Sequence, residues 1–514
     1  MSPPDRPPVP ELPADAPERT LLDRADRAFA RATGAPLIEG NGVRLLRDAA
    51  ENFPAWLDAI GNAERSILFE SYLIEDDDVG REFAAALAAK ARSGVRVRVL
   101  YDWLGSWGSD RLWAQLRAAG AHVCGFNPFR PEAPLAWLAR DHRKSIAIDG
   151  RVGFVTGLCV SAKWIGDPDR RREPWRDTGI EIRGPAVAEL ERAFARIWRV
   201  AGGGAIPPQD LTAIETIPVA GSTAMRVIAG VPDTAGVFRL DHVVASAAHR
   251  YLWLTDAYFV GLSAYVQALA AAARDGVDVR LLVPGASDIP AVRPLSRASY
   301  RPLLAAGVRV FEWNGTMLHA KTAVADGLWA RVGSTNLNFA SWMQNWELDV
   351  AIEDPAFAAQ MAAMYEADLQ RATEIVLTRR NRVRGAAPAA SAGRATARRA
   401  VSGSAGRAAA GALSVGSALG AALTNRRRLG RAEAGLLVKL ALTAIVAAAV
   451  AVVWPLALAI PFAIVAGWLG LATLWKAWLL RRRPRRRRTH AAAAPPHGDA
   501  AGGGGSDELG GPPP

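Results

Sequence analysis

The sequence predicts an α/β protein built from two copies of one unit, followed by an apolar helical segment. Three blocks occur twice in the same order: residues 93–100, 116–126 and 142–149 return as residues 275–282, 303–313 and 319–326. The offsets between the paired blocks are 182, 187 and 177 residues. Repeated blocks in one order at a nearly constant offset indicate an internal duplication.

Strand-like and helix-like segments alternate from about Leu37 onward, which places the duplicated region in the α/β class. In the first copy, residues 66–74 and 95–101 have the pattern of buried strands, and residues 79–93 between them have apolar positions at helical spacing. The second copy repeats this order with residues 250–260, 263–274 and 277–283. We therefore expect right-handed βαβ units, a largely parallel sheet, and helices that cover the sheet.

Each copy next contains an Asp-Gly pair between two extended runs. These pairs are Asp149-Gly150, between residues 142–148 and 151–155, and Asp326-Gly327, between residues 319–325 and 328–332. A two-residue hairpin turn needs positive φ at both central residues, which Asp and Gly tolerate. The pattern favours a turn-forming role for Asp149 and Asp326 over direct chemistry.

Charge is distributed unevenly along the chain. Residues 1–378 contain 41 Lys and Arg against 46 Asp and Glu, whereas residues 379–490 contain 21 basic residues and one acid. A net acidic body argues against a nucleic-acid groove, because binding to a phosphate backbone depends on clustered Lys and Arg. No nucleic-acid partner is therefore expected.

The chain has two cysteines, Cys124 and Cys159, and its first 20 residues contain no apolar run. Two cysteines cannot form a disulfide framework, which fits a reducing compartment. Because no signal peptide is visible, the duplicated body is expected to remain in the cytoplasm. Residues 1–16 are rich in Pro and charge and predict a disordered leader.

The region beyond the second copy predicts a membrane segment. Residues 378–434, rich in Ala, Gly, Ser and Arg, predict a flexible basic linker. Residues 440–475 contain 36 positions without a charge, too many for one perpendicular span of about 20 residues and suited to two short spans. Arginine clusters on both sides favour a transmembrane hairpin at residues 435–480 with both ends in the cytoplasm, over a buried soluble helical pair. Residues 481–514 predict a basic, then Gly/Pro-rich, disordered tail.

The repeated His-x-Lys pattern carries the candidate chemistry. Residues i and i+2 of a strand point to the same face, so His142 projects with Lys144 and His319 with Lys321. A Lys can neutralise the non-bridging oxygens of a phosphodiester while a His acts as nucleophile or acid. Two such pairs in one site allow one histidine to take the phosphorus while the other protonates the leaving alcohol.

Other polar residues are predicted to support the two histidines. A carboxylate on the second ring nitrogen orients a neutral imidazole, and Asp177 and Glu347 lie 35 and 28 residues downstream of the two histidines. Ser334 and Asn336 could donate hydrogen bonds to phosphate oxygens. A metal site is the competing interpretation, but the chain has no HExxH pattern and no zinc-type Cys/His spacing. Because the motif supplies its own cations, no metal or cofactor is expected.

These residues resemble the phospholipase D superfamily, whose signature is H-x-K-x4-D-x6-G-S-x-N present twice. The second copy matches it in full, through His319, Lys321, Asp326, Gly333, Ser334 and Asn336. Within the superfamily, the chain is similar to the bacterial cardiolipin synthases through residues 72–82, 175–178, 184–187 and 257–259. The resemblance covers roughly residues 37–372.

The resemblance implies two α/β/α sandwich halves, residues 17–210 and 211–377, that share one active site. It also implies phosphatidyl transfer through a phosphohistidine, with His142 as nucleophile and His319 as acid and base. The first copy departs from the signature, because Gly157 replaces the Ser and Cys159 replaces the Asn. Two donors to phosphate oxygens are therefore missing or weakened. A small buried thiol is a more common role for such a residue than a second nucleophile.

Taken together, the motif and the apolar tail predict a phosphatidyltransferase at the bacterial inner membrane with its catalytic body in the cytoplasm. The expected partners are the bilayer and its phospholipids, with phosphatidylglycerol as acceptor. The first alternative is a phospholipase D that transfers the phosphatidyl group to water and forms phosphatidic acid. The second is a non-catalytic membrane scaffold, and a membrane-associated nuclease is disfavoured by the acidic body.

Overall fold

The structure, a computed structural model, describes residues 26–129, 139–289, 292–377 and 383–385, together with residues 467, 468, 471 and 475. The chain forms two compact units, residues 1–448 and residues 449–514. The four described residues of the second unit are helical and exposed. The first unit is a mixed α/β fold that contains both copies of the repeated motif.

The first copy begins with a helical segment at residues 26–33, here named α1. Its strands are β1 (Ile38–Arg47), β2 (Ser66–Ser71), β3 (Arg96–Asp102), β4 (His122–Phe126), β5 (Lys144–Ile148), β6 (Val152–Thr156) and β7 (Thr178–Arg183). Its other helices are α2 (Asp48–Gly61), α3 (Asp78–Arg92), α4 (Asp110–Ala118) and α5 (Ala186–Val200). Elements β2, α3 and β3 confirm the strand, helix and strand that the sequence predicts here.

The second copy repeats the same order of elements. Its strands are β8 (Thr223–Gly230), β9 (Tyr251–Thr255), β10 (Asp278–Pro284), β11 (Arg309–Trp313), β12 (Thr322–Ala325), β13 (Trp329–Gly333) and β14 (Glu347–Glu353). Its helices are α6 (Gly236–Ala247), α7 (Ser263–Arg274), α8 (Val292–Ala305), the short α9 (Phe339–Met343) and α10 (Pro355–Leu369). Two further strands follow, β15 (Ala372–Leu377) and β16 (Val383–Gly385).

All sixteen strands belong to one sheet with mixed strand directions. Its order is β16-β15-β11-β10-β9-β12-β13-β14-β8-β1-β7-β6-β5-β2-β3-β4, and antiparallel pairing of β1 with β8 joins the two copies at its centre. Parallel pairing is confined to β2-β3-β4 and β9-β10-β11. The prediction of a largely parallel sheet is therefore wrong. The Asp-Gly hairpins place antiparallel strands beside each parallel trio, and only the trios carry the βαβ pattern visible in the sequence.

Helices cover both faces of the sheet. Along β2, Ile67 and Phe69 pack in a core with helices α2, α3 and α4, whereas Leu68 between them faces a second core. That second core contains residues of α5 and α10 together with strand residues from both copies. A third core holds α6, α7 and α8 against the strands of the second copy. The two copies are thus packed together by a shared apolar layer.

Helix ends carry the side chains that their sequences predict. Asp77 precedes α3 and its carboxylate accepts the Gly80 N–H at 2.9 Å. Asp354 precedes α10, accepts the Phe357 N–H at 2.8 Å, and is followed by Pro355 in the first turn. An Asp at this position satisfies an N–H that has no partner within the helix, and Pro has no N–H to lose.

The two Asp-Gly turns are confirmed. Asp149 and Gly150 have φ of 57° and 68°, and Asp326 and Gly327 have φ of 54° and 73°. Each Asp carboxylate also accepts three backbone N–H groups at 2.7–2.9 Å, from residues 64–66 in the first copy and residues 249–251 in the second. Both aspartates therefore lie at the far end of their hairpins from the histidines and tie each turn to the start of β2 or β9.

The predicted leader, linker, hairpin and tail lie outside the described residues, apart from residues 383–385, 467, 468, 471 and 475. Within the described part of the chain, no helix combines the length and the apolar character that a bilayer span requires.

Candidate active site

The two histidines lie on segments that pair with loops of the opposite copy. The His142 N–H donates to the Trp346 carbonyl at 2.9 Å, and the His319 N–H donates to the Arg176 carbonyl at 2.7 Å. In both places the two segments run parallel, as isolated bridges between Asp141 and Trp346 and between Arg176 and Leu318. The duplication thus produces two matching crossings, one for each histidine.

The carboxylates that orient the histidines are also exchanged between the copies. His142 Nδ1 lies 2.9 Å from Glu347 Oε2, and His319 Nδ1 lies 2.7 Å from Asp177 Oδ2. Sequence analysis identified both acids but associated each with the histidine upstream of it, and that assignment is wrong. Within one copy, β6 separates the strand that follows the histidine from the strand that follows the acid. The sheet instead brings β6 and β7 against β13, which places each acid beside the other copy's histidine.

Both imidazoles are held neutral with one nitrogen unprotonated. Burial lowers the pKa of His142, and burial together with the charge of Lys321 lowers the pKa of His319 to about 3. Burial would raise the pKa of Asp177 and Glu347, but the partner histidine and the nearby lysine outweigh it, so both pKa values lie below the ordinary range. Each carboxylate then accepts the Nδ1–H and leaves Nε2 with a free lone pair.

Two buried lysines supply the positive charge. The Lys144 Nζ lies 5.2 Å from the centre of the Tyr72 ring, and the Lys321 Nζ lies 5.9 Å from that of Tyr258. Each ammonium group also donates to the carbonyl of the histidine two residues before it. Burial, and then the charge of Lys144, lower the pKa of Lys321 to about 8. Two ammonium groups beside two neutral imidazoles make a site suited to a phosphodiester anion.

Tyr72 and Tyr258 are site residues that sequence analysis did not assign. The Tyr72 ring is edge-on to His142 at 5.1 Å, and the Tyr258 ring is edge-on to His319 at 5.7 Å. Burial raises the pKa of both phenols, so both remain protonated. A signal was available, because Glu-Ser-Tyr at residues 70–72 returns as Asp-Ala-Tyr at residues 256–258.

The two carboxylates are supported differently in the two copies. The Ser334 hydroxyl donates to Glu347 Oε2 at 2.5 Å. Gly157 occupies the equivalent position of the first copy, and a Cβ atom there would lie 2.1 Å from Asp177 Oδ1. The Trp164 indole N–H instead donates to Asp177 Oδ2 at 2.9 Å. An indole therefore takes the part of the missing serine, a substitution that no motif comparison signals.

The remaining motif residues differ from the sequence expectations in detail. The Ser334 hydroxyl is engaged with Glu347, so it supports a carboxylate rather than presenting a free donor to phosphate. The Asn336 amide is buried, and its Oδ1 has no hydrogen-bond partner within the described ranges. Cys159 is buried, and burial raises its thiol pKa. A protonated thiol is a poor nucleophile, in keeping with the structural role expected for Cys159.

Buried arginines fix the segments that carry the two acids. Arg143, between His142 and Lys144, donates to the carbonyls of Glu347, Ala193 and Gly230 at 2.8–3.2 Å. Arg176 donates to both oxygens of Asp368, on α10, at 2.9 and 2.8 Å. These contacts join the copies on either side of the histidines. Local sequence patterns gave no indication of them, because each joins residues far apart in the chain.

Across residues 26–129, 139–289 and 292–377, no three His, Cys, Asp or Glu side chains are grouped as a metal-binding site. The positive charge that faces a bound anion comes from Lys144 and Lys321. The arrangement provides two oriented imidazoles, each with a free nitrogen, in one charged pocket. It is chemically competent for a displacement at phosphorus in which one imidazole attacks and the other transfers a proton.

Comparisons with known proteins agree with this arrangement. A family model described as "Cardiolipin synthase, PLD-like domain" matches residues 244–369. A cardiolipin synthase from Geobacillus sp. is 32% identical over 371 residues, which cover 71% of this chain and 73% of that protein. Cardiolipin synthase A from Pseudomonas aeruginosa is 35% identical over 369 residues, or 70% of this chain and 73% of that protein.

A similar fold has been solved in the phosphatidylserine synthase of Haemophilus influenzae. The TM-score is 0.54 at 16% sequence identity, and the matched region covers 68% of this chain and 92% of that structure. At this identity the likeness concerns the fold alone.

Proposed function

The chain belongs to the cardiolipin synthase family of the phospholipase D superfamily, and on that premise we propose that it joins two phospholipids by phosphatidyl transfer. It is an enzyme of this superfamily. The proposed donor and acceptor are both phosphatidylglycerol, and the products are a diphosphatidyl lipid and glycerol. The proposed mechanism has two displacements at one phosphorus and requires no metal or cofactor.

In the first step, the phosphodiester of the donor binds between Lys144 and Lys321. The unprotonated Nε2 of His142 attacks the phosphorus, and the bond from phosphorus to the glycerol oxygen breaks. His319 gives a proton to that oxygen, so glycerol leaves as a neutral alcohol. His319 must therefore gain a proton when the anion binds, which the negative charge of the phosphodiester favours.

In the second step, the hydroxyl of another phosphatidylglycerol takes the place of glycerol. His319, now neutral, accepts the hydroxyl proton while the oxygen attacks the phosphorus. The bond from phosphorus to His142 breaks, and the enzyme returns to its starting protonation state. The assignment of His142 as nucleophile follows the resemblance to the superfamily, because the two imidazoles have matching surroundings.

The observation that carries the proposal is the exchange of carboxylates between the copies. Glu347 holds His142 and Asp177 holds His319, each with its Nε2 free, so the two imidazoles are oriented as one pair. A non-catalytic scaffold has no need for two buried lysines and two oriented histidines. A hydrolase would use the same residues, and the acceptor in the second step distinguishes the two activities.

The proposal extends to the organisation of the chain. Residues 17–210 and 211–377 form the two sandwich halves, and residues 435–480 form a membrane hairpin behind a basic linker. The enzyme then works on the cytoplasmic side of the inner membrane, where its lipid substrates reside. This topology predicts that the full chain stays in the membrane fraction after washing with salt or carbonate.

Product analysis tests the function directly. The full chain is reconstituted with phosphatidylglycerol that carries label in its headgroup glycerol and its acyl chains. We expect a diphosphatidyl lipid and released glycerol, and no turnover by His142→Ala or His319→Ala. A phosphoryl adduct should form in His319→Ala and be absent from His142→Ala. Phosphatidic acid as the main product would favour the hydrolase, and an adduct on His319 would reverse the assigned roles.

A further inference from the structure

We propose that the loops around the two histidines form a surface that docks onto the phospholipid bilayer, with Trp107, Ile165 and Phe339 as its apolar contacts. This inference rests on the proposed function, since it concerns how a site for phospholipids reaches a substrate within a membrane. It assigns the contact to the folded body rather than to the C-terminal apolar segment.

The three side chains belong to loops that contact the catalytic groups. Ile165 follows Trp164, whose ring lies 5.3 Å from that of His319. Phe339 follows Asn338, whose amide N–H donates to the Tyr258 carbonyl at 3.0 Å.

Trp107 reaches the site through its own loop. It follows Ser106, whose hydroxyl donates to the Tyr72 carbonyl at 3.3 Å, and the Tyr72 ring contacts His142. The three loops therefore emerge at the histidine end of the sheet, around both imidazoles.

The exposure of these side chains distinguishes this end of the body. Trp107 is 68% exposed, Ile165 52% and Phe339 43%. Phe129, which follows β4 at the same end, is 44% exposed. Among large apolar residues exposed elsewhere within residues 26–377, the side chains are aliphatic: Val200, Val219, Leu328 and Val376. The exposed aromatic side chains of the described body are thus gathered around the site, and aromatic rings are favoured at the boundary between water and lipid.

The loops are held rigidly by polar contacts beneath the exposed tips. The Ala162 N–H donates to Asp77 at 2.7 Å, and Lys163 donates to Glu75 at 2.5 Å, so the segment before Ile165 is fixed to the loop before α3. The Trp107 ring packs edge-on against Trp103 at 4.7 Å. Side chains fixed in exposed positions lose little conformational freedom when they bind a surface.

Charge on this face suits anionic lipid. Arg170, Arg171 and Arg172 are exposed in the loop that follows Ile165, and basic residues near a membrane are attracted to anionic headgroups. The acidic run at residues 75–78 is engaged locally, with Lys163, with Arg81 and as the N-cap of α3. A bilayer that contains phosphatidylglycerol is therefore the partner that fits both the aromatic tips and the arginine loop.

Photolabelling of the full chain tests the contact without turnover. Vesicles of phosphatidylcholine and phosphatidylglycerol carry a phospholipid with a photoreactive group on its acyl chain, and the labelled peptides are mapped by mass spectrometry. We expect labels on the loops that contain Trp107, Ile165 and Phe339. The peptide that contains Leu328 is the internal reference, because Leu328 is 61% exposed at the opposite end of the sheet, in the β12–β13 turn. Labels confined to residues 440–475, or equal labelling of the Leu328 peptide, would overturn the proposal.

Kinetics of matched variants give a second test. For Trp107→Ser and Phe339→Ser, the ratio of activity on vesicles to activity on monomeric short-chain phosphatidylglycerol should fall about tenfold, as expected when one large apolar side chain loses its burial. Leu328→Ser should leave this ratio unchanged. An unchanged ratio in both aromatic variants would overturn the docking surface. Absence of a diphosphatidyl product from the monomeric substrate with the unaltered chain would instead contradict the proposed function.

Discussion

Glu347 holds the Nδ1 of His142 at 2.9 Å, although the two residues are 205 positions apart and belong to different copies of the repeat. Asp177 and His319 form the reciprocal pair, 142 positions apart. Neither copy contains an imidazole oriented by its own carboxylate. The functional unit is therefore the pair of copies, and the predictions below follow from the groups that connect them.

Glu347→Gln should lower kcat by about 10²- to 10⁴-fold and preserve the fold, because an amide can present its NH2 to Nδ1 and favour the wrong imidazole tautomer. Asp177→Asn is the matched variant and should lower kcat over a similar range through His319. Turnover of short-chain phosphatidylglycerol measures the loss, and circular dichroism with thermal melting checks the fold. Near-normal turnover in either variant would contradict the crossed arrangement.

Trp164→Phe should lower kcat by roughly 10- to 100-fold, since a hydrogen bond to a charged group contributes about 1.5–3 kcal/mol. Phe retains a ring beside His319 and removes only the N–H donor to Asp177. Loss of that donor raises the pKa of Asp177, so the acidic limb of the kcat/KM profile should move to higher pH. Ser334→Ala is the equivalent change at Glu347 and should act through His142. A fall in kcat with an unmoved acidic limb would indicate that Trp164 acts through packing alone.

Binding of a phosphodiester should weaken as the pH rises through about 8. Burial and Lys144 lower the pKa of Lys321 to about 8, so the ammonium is charged below this pH and neutral above it. The inhibition constant of glycerophosphoglycerol, a phosphodiester of constant charge, should be flat at lower pH and rise above about 8. Lys321→Met should bind weakly throughout and lack this rise. An inhibition constant independent of pH in the unaltered enzyme would contradict the assignment of Lys321.

Gly157→Ser restores the superfamily signature of the first copy and should nevertheless impair the enzyme. The new Cβ would lie 2.1 Å from Asp177 Oδ1, so the carboxylate must move away from His319 or the backbone must shift. We expect kcat to fall by at least about tenfold, the effect of losing one hydrogen bond to a charged group. Gly157→Ala should act similarly, because the obstacle is the Cβ. Full activity in Gly157→Ser would show that Asp177 can be accommodated elsewhere.

Local patterns predicted the parts of the fold that depend on neighbouring residues. The turn at Asp149 was predictable because positive φ at two adjacent positions has a narrow sequence requirement. The pair of His142 with Lys144 was predictable because the two side chains alternate on one strand. The largely parallel sheet was wrong, because the βαβ pattern describes three strands in each copy and does not report how the hairpin and β7 join them.

Contacts across the copies could not be predicted from one sequence. Asp177 and Glu347 were identified as acids near the histidines, but their partners depend on how the sheet brings β6 and β7 against β13. The indole of Trp164 was invisible for a similar reason, since it replaces a hydroxyl from a different position of the chain. Arg143 appeared to be a spacer between His142 and Lys144, and its role emerges only from the carbonyls around it.

The exchange of carboxylates also bears on what a duplication can provide. A second copy of a gene segment usually offers redundancy, since damage to one copy is covered by the other. Here the spare copy gives no insurance, because loss of Glu347 disarms a histidine in the first copy and loss of Asp177 disarms one in the second. Two inherited lesions, one in each copy, would not complement within one chain, whereas the two halves supplied as separate polypeptides could restore activity only by meeting.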